Sequence, residues 1–142
     1  MLHRLRAWSA RAFIAATMLG AAACGGSTFV MTPDATVPFA KGEVSASIAD
    51  DGNGTYTVLV EHLGDPAKLN PQATTYVLWV QPKKEDSPIQ NMGAIKVDSD
   101  YNGEHTFNTT FKSFDLTITP EESADAVKPS GRDILKTTIA ID

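Results

Sequence analysis

From residue 42 to the end of the chain, short runs place apolar residues at every second position, and no stretch carries a convincing helical period. In residues 42–49, Val44, Ala46 and Ile48 fall on one face and Glu43, Ser45 and Ser47 on the other, the signature of a half-buried strand. Asp50-Asp51-Gly52-Asn53-Gly54 is a strong turn signal. Residues 55–63 resume the alternation, with Tyr56, Val58, Val60 and His62 against Thr57, Leu59, Glu61 and Leu63. The two runs together predict a hairpin.

The rhythm continues. Residues 73–81 contain Thr75-Tyr76-Val77-Leu78-Trp79-Val80, apolar on both faces, which predicts a central strand. Residues 89–97 form a further run, in which Gly93 marks a bulge or a point of close approach. Residues 104–111 alternate weakly, and residues 113–119 set Phe114, Leu116 and Ile118 against Asp115, Thr117 and Thr119. Residues 133–141 close the set. Loops are expected at 64–72, 82–88 and 120–131, the last with room for a helical turn at 121–126. About seven short strands with frequent turns predict an all-β fold, an antiparallel immunoglobulin-like β-sandwich over residues 39–142. A closed barrel is the alternative architecture.

The start of the chain is different in kind. Residues 1–23 carry Arg4, Arg6 and Arg11 and no acid, then an Ala-rich apolar run ending in Ala21-Ala22-Ala23 before Cys24. A basic start, a short apolar middle and small residues describe an export signal. A Cys directly after the small residues resembles a bacterial lipobox. That resemblance implies cleavage before Cys24, lipid on its sulfur, and a place in the cell envelope outside the cytoplasm. Plain cleavage after Ala-x-Ala would give the same mature start without lipid. An uncleaved anchor is a third reading, but the apolar stretch falls short of the ~20 residues that span a bilayer. Lipidation also accounts for the single Cys of an exported chain. Residues 24–38, rich in Gly, Ser, Thr and Pro, read as a tether after Cys24, with Phe29-Val30-Met31 able to dock on the core edge; the fourteen residues 25–38, if flexible, reach roughly 20 Å.

Charge narrows the classes of partner. Without the three signal arginines, nine Lys and Arg face 17 Asp and Glu, a net charge of −8. Nucleic acid requires a cationic footprint, so it is not an expected partner. The acids are scattered, as on an ordinary soluble surface.

Few residues suggest chemistry. Asp98-Ser99-Asp100-Tyr101-Asn102-Gly103 matches the first half of a calcium loop, but the twelfth position is Thr109 where a bidentate Glu belongs. A hairpin turn explains the same residues, and no metal site is expected. His62 and His105 stand alone in separate strands without further ligands at short spacing. There is no Gly-x-Ser-x-Gly elbow and no glycine-rich phosphate cradle, so no catalytic residues, cofactor or enzyme activity are expected. Tyr76, Trp79, Phe107 and Phe114 read as core, whereas Phe39 and Tyr101 are the aromatic candidates for exposure.

One longer pattern stands out. Thr75-Tyr76-Val77-Leu78-Trp79-Val80 is followed by Met92-Gly93-Ala94-Ile95-Lys96-Val97, then by Phe114-Asp115-Leu116-Thr117-Ile118-Thr119-Pro120-Glu121 and Pro129-Ser130-Gly131. This order resembles the extracytoplasmic C-terminal domain of anti-sigma-K-type factors. The resemblance implies a β-rich domain outside the cytoplasm and brings no catalytic residues with it. Those factors also have a sigma-binding region and a membrane-spanning helix, and this chain instead has an export signal and Cys24, so sigma binding does not carry over. The expectation is a lipid-anchored envelope domain with a non-catalytic binding or sensing role. Its partners would be the membrane, through Cys24, and an envelope protein. A structural lipoprotein holding a constitutive partner, or a regulatory accessory related to anti-sigma factors, is the alternative.

Overall fold

A computed structural model describes residues 26–142; Cys24 and the expected export signal lie outside the described residues. Eight strands run in the order β1 (Gly26–Pro33), β2 (Lys41–Ile48), β3 (Gly54–Glu61), β4 (Thr75–Pro82), β5 (Gln90–Ile95), β6 (Gly103–Thr109), β7 (Ser113–Glu121) and β8 (Leu135–Ala140). A single helical turn, α1 (Pro66–Leu69), lies between β3 and β4, capped by the Asp65 carboxylate accepting from the Ala67 N–H at 3.0 Å. Each of the seven strands expected from alternation is present within a few residues of its expected bounds.

The eighth strand is β1, and it occupies the stretch expected as a tether. Its Gly, Ser, Thr and Pro content hides a two-residue period. Met31 points inward and is buried, Phe29 packs partly against the core, and Thr28 and Val30 face solvent. Short polar residues beside β-branched ones suit a strand with one solvated face as well as they suit a linker. The folded domain therefore takes in residues 26–33, part of the stretch expected as a tether.

β1 also decides the architecture. Gly26–Met31 pair with β2, and Thr32 and Pro33 then pair with β8. All strand pairs are antiparallel, in the order β5-β4-β7-β8-β1-β2-β3-β6. Because one strand joins both halves, they form a continuous sheet, which curls until its two ends approach. The sheet is nearly closed into a barrel, in place of the expected seven-stranded sandwich. At the seam between β5 and β6, a bridge pairs Val97 with Gly103, and the His105 ring Nε2 lies 2.7 Å from the Met92 carbonyl oxygen.

The seam explains Gly93. The β4–β5 register slips between Val77 and Trp79, so β5 carries a bulge beside Asn91. Gly93 takes φ of 110°, and a Cβ built there would lie 2.9 Å from two atoms of the His105 ring. The position meets both expectations for it, a bulge and a close approach.

The interior is filled from both halves. Tyr56 stacks on Phe107 with centroids 5.2 Å apart and meets Phe114 edge-on, also at 5.2 Å. Val44, Val58, Tyr76, Leu78, Leu116, Ile118, Leu135 and Ile139 complete the packing. The Tyr76 hydroxyl donates within reach of two carbonyls, Leu63 at 3.1 Å and Gly64 at 2.6 Å. Burial pushes the Tyr76 phenol well above its ordinary range, so it remains a donor at any physiological pH.

Two outcomes follow from this architecture. Removal of residues 26–33 should cost more than ~3 kcal/mol in a urea titration, since losing buried Met31 alone falls in the large-to-small range and the facing edges of β2 and β8 lose their partner. Gly93→Ala should lower stability by ~1–3 kcal/mol through backbone strain at positive φ and displace His105 from Met92, visible as a shift of the His105 ring resonances.

Candidate functional site

The outward face of β1, β2, β3 and β6 is organised in cross-strand rows. One row brings Thr28, Ser45, Thr57 and Thr106 into register, and the next brings Ser47, Thr55 and Asn108. Hydroxyls bond across the strands, Thr57 to Thr106 at 3.1 Å and Thr55 to the Asn108 carbonyl oxygen at 2.8 Å. This half of the face is an ordinary solvated surface.

The neighbouring row is different. Val30, Glu43, Leu59 and Glu104 stand side by side in register. Val30 is 73% exposed and Leu59 44%, while Phe39, in the β1–β2 connection, is 81% exposed. Large aliphatic and aromatic groups left in water at this density stand apart from the hydroxyl rows around them. A cleft of about 540 Å³ opens beside them, lined by Val30, Met31, Pro33, Pro38, Ala40, Gly42 and Leu59, with Lys41, Glu43 and Glu61 on its rim. On the far side of Leu59 a shallower depression is lined by Glu61, Asp98, Asn102 and Glu104. The combination is an apolar centre with a carboxylate border.

A further depression, about 650 Å³, lies between α1 and the β5–β6 turn. Several of its polar groups are already engaged. The Tyr76 hydroxyl is spent on Leu63 and Gly64, Asp65 caps α1, and Asp98 Oδ1 accepts from the Asp100 and Asn102 N–H groups at 2.9 and 3.0 Å. Asn102 Oδ1 in turn accepts from the His62 N–H at 2.9 Å. The segment that resembles half a calcium loop is thus a hydrogen-bonded turn joining β5 to β6. Among the described residues no cluster of three or more His, Cys, Asp or Glu is placed to hold a metal ion. His62 is exposed at the end of β3, while His105 sits at the seam.

A second constellation lies on the outer face of β4 and β7. Along β4, Tyr76, Leu78 and Val80 point inward, so Val77 and Trp79 point outward, yet both are fully buried. Residues 122–132 run over them as a strap. Asn91 Nδ2 donates to the Ala124 and Ala126 carbonyls, each at 2.8 Å, and holds one end. Glu121 holds the other: its Oε1 accepts from the Ser130 N–H at 2.9 Å and the Gly131 N–H at 3.2 Å, and its Oε2 from the Ser130 hydroxyl. The Trp79 Nε1–H donates to Thr119 Oγ1 at 2.8 Å, and that hydroxyl donates to Glu121 Oε1 at 2.6 Å. Gly131 must be glycine here, because a Cβ would fall 2.2 Å from the Pro120 carbonyl oxygen. The helical turn expected at 121–126 gives way to this arrangement, with Glu121 ending β7.

Burial alone would push the Glu121 carboxyl up, but the hydrogen bonds from Ser130, Thr119 and Gly131 outweigh it and hold the group below the usual glutamate value. No buried side-chain nitrogen or oxygen is left without a partner among the described residues. The strap is therefore a satisfied structural network, and its buried groups are committed to one another.

Trp79 is buried and Phe39 exposed, as the sequence leads one to expect, whereas Tyr101, the other aromatic expected to be exposed, is half-buried against the core. The sequence alone does not reveal the exposed row. Alternation puts Leu59 on a face with Thr57 and Glu61, and that polar company is the available signal. Val30 lay in the supposed tether. Cys24, the lipidation candidate, lies outside the described residues. Among the described residues no helix is long and apolar enough to cross a membrane. No known protein-family model matches the chain, and no curated protein matches it.

Two measurements test the strap. Trp79→Ala should destabilise the domain by ~3–5 kcal/mol, the cost of truncating a fully packed aromatic. Glu121→Gln should cost ~1–3 kcal/mol at neutral pH by leaving donors poorly matched. The folded-state pKa of Glu121 lies below its unfolded value, so its contribution is complete above the ordinary glutamate pKa of ~4.3 and fades as pH falls through the lower folded value. The stability gap between wild type and Glu121→Gln should therefore narrow on acidification and be unchanged between pH ~6 and ~8.

Proposed function

We propose that this chain is a lipid-anchored protein of the bacterial envelope whose β domain binds a protein partner without catalysis. The observation that carries the binding role is the exposed row of Val30 and Leu59 beside an apolar cleft, on a sheet face otherwise covered with hydroxyl and charged groups. Exposed apolar groups gathered at a cleft favour a contact surface over a solvated one.

The anchor reading rests on Arg4, Arg6, Arg11, the apolar run and Cys24. Gly26 already belongs to β1, so a lipid on Cys24 would lie two residues along the chain from a strand residue. Two peptide units span at most ~7 Å. Such an anchor would hold the domain against the membrane surface, in place of the ~20 Å reach expected of a fourteen-residue tether. Val30 lies four residues along β1 from Gly26, roughly 13 Å farther from the anchor at strand rise.

The resemblance to the extracytoplasmic domain of anti-sigma-K-type factors belongs to the same proposal. Its residues Trp79, Thr119, Glu121 and Gly131 form the hydrogen-bond network that anchors the strap, which supports reading them as positions that keep the fold.

Two experiments test this reading. Metabolic labelling with a fatty-acid analogue should mark the wild-type chain and leave Cys24→Ala unlabelled; equal labelling, or none, removes the anchor. A photo-crosslinking residue at position 59 should give one discrete envelope adduct, and the same residue at position 45, in the hydroxyl row, should give none. Adducts at both positions or at neither would count against a binding face at Leu59.

A further inference from the structure

The border of the cleft specifies a class of partner. Glu43 stands between Val30 and Leu59, and Glu104 stands beyond Leu59 in the same cross-strand row. Glu61 lies on the cleft rim and also lines the second depression with Asp98. Lys41, the register partner of Glu61, is the cation lining the cleft, and Lys96 lines the neighbouring depression with Asp98, so these four carboxylates outnumber the cations on this surface. None of the four takes part in an ion pair; among the described residues the ion pairs are Lys83–Asp115 and Arg132–Asp34, both elsewhere.

Resting on the binding role proposed above, we infer that the face centred on Leu59 docks a cationic amphipathic segment of a partner protein, with apolar side chains alternating with Lys or Arg. Two requirements of the surface lead to it. Val30 and Leu59 are two strands apart, ~10 Å at ordinary strand spacing, so an occupant must present more than one apolar group. Any occupant that covers Leu59 also covers Glu43 and screens Glu61 and Glu104 from water. A neutral or acidic occupant would leave those carboxylates desolvated without compensation. Lysine or arginine flanking the apolar groups supplies charge-assisted hydrogen bonds at the same positions. A second copy of this chain would set four carboxylates against four, and an anionic lipid surface would be repelled in the same way.

The test uses the full chain in non-ionic detergent and three labelled synthetic peptides: alternating Leu and Lys, alternating Leu and Glu, and alternating Ser and Lys. Fluorescence anisotropy is read against Leu59→Asp and against Glu43→Gln/Glu61→Gln, so that binding to micelles, common to all three proteins, cancels. Circular dichroism establishes that both variants remain folded. The Leu/Lys peptide should bind the wild type at least about tenfold more tightly than either other peptide. Its affinity should fall by about tenfold between ~0.05 and ~0.5 M salt, because the paired charges are exposed at the rim. Leu59→Asp should weaken it. The double Gln variant should bind more weakly at low salt and lose most of the salt dependence.

Equal binding of the Leu/Glu peptide, or affinity indifferent to salt, overturns the cationic class while leaving a contact at Leu59 intact. An absence of selective binding by any peptide also overturns it, and the crosslinking at position 59 then decides separately whether the face binds at all. A concentration-dependent dimer in sedimentation that Leu59→Asp abolishes assigns the face to self-association and overturns the proposal. So does co-sedimentation of Cys24→Ala with anionic vesicles that Leu59→Asp abolishes.

Discussion

The divided pairing of β1 holds this architecture together. Its first six residues form a ladder with β2, and its last two cross to β8. Without it, β2-β3-β6 and β5-β4-β7-β8 would be separate sheets, each with an additional open edge. An open edge presents unpaired backbone donors and acceptors and invites pairing with other chains. One strand that serves both sheets removes two such edges and draws the remaining two, β5 and β6, together at the seam. The Gly93 bulge and the His105 side chain then accommodate a closure that the strand ladder alone does not complete.

That closure sets where polar and apolar groups can go. Inside, the aromatic cluster of Tyr56, Phe107 and Phe114 takes one member each from β3, β6 and β7. Outside, β4 is too apolar to face water on its second side, and the strap from 122 to 132 covers it. A short polar loop supplies little apolar area of its own, so it is fixed by hydrogen bonds. Glu121 at one end and Asn91 at the other satisfy five strap groups between them: two N–H groups and a hydroxyl at Glu121, and two carbonyls at Asn91. A buried carboxylate is tolerated where donors converge on it, and here they also position Thr119 beneath the Trp79 N–H.

The proposed docking face has the opposite character. The β1–β2–β3 surface has no strap, and its apolar row is left in water among unpaired carboxylates. The same barrel thus carries two apolar outer patches. One is sealed by the chain's own loop and contributes to stability, and the other is exposed among the described residues.

Alternation alone was enough to read seven strands, the hairpin of β2 and β3, and the buried, two-sided character of β4, because period two is a local property written in consecutive residues. Gly93 and the 98–103 turn were legible for the same reason: a glycine in a strand and an Asn-Gly before one have few conformational uses. The strand β1 was not legible, since Gly-Ser-Thr-Phe-Val-Met-Thr-Pro suits a linker or an edge equally, and only the waiting edges of β2 and β8 decide between them. The barrel, the strap and the docking row were equally out of reach. Sequence shows that Leu59 shares a face with Thr57 and Glu61. Whether that face meets a second layer, a loop or water depends on how distant strands pair, and tertiary structure alone sets Val30, Glu43, Leu59 and Glu104 in one row.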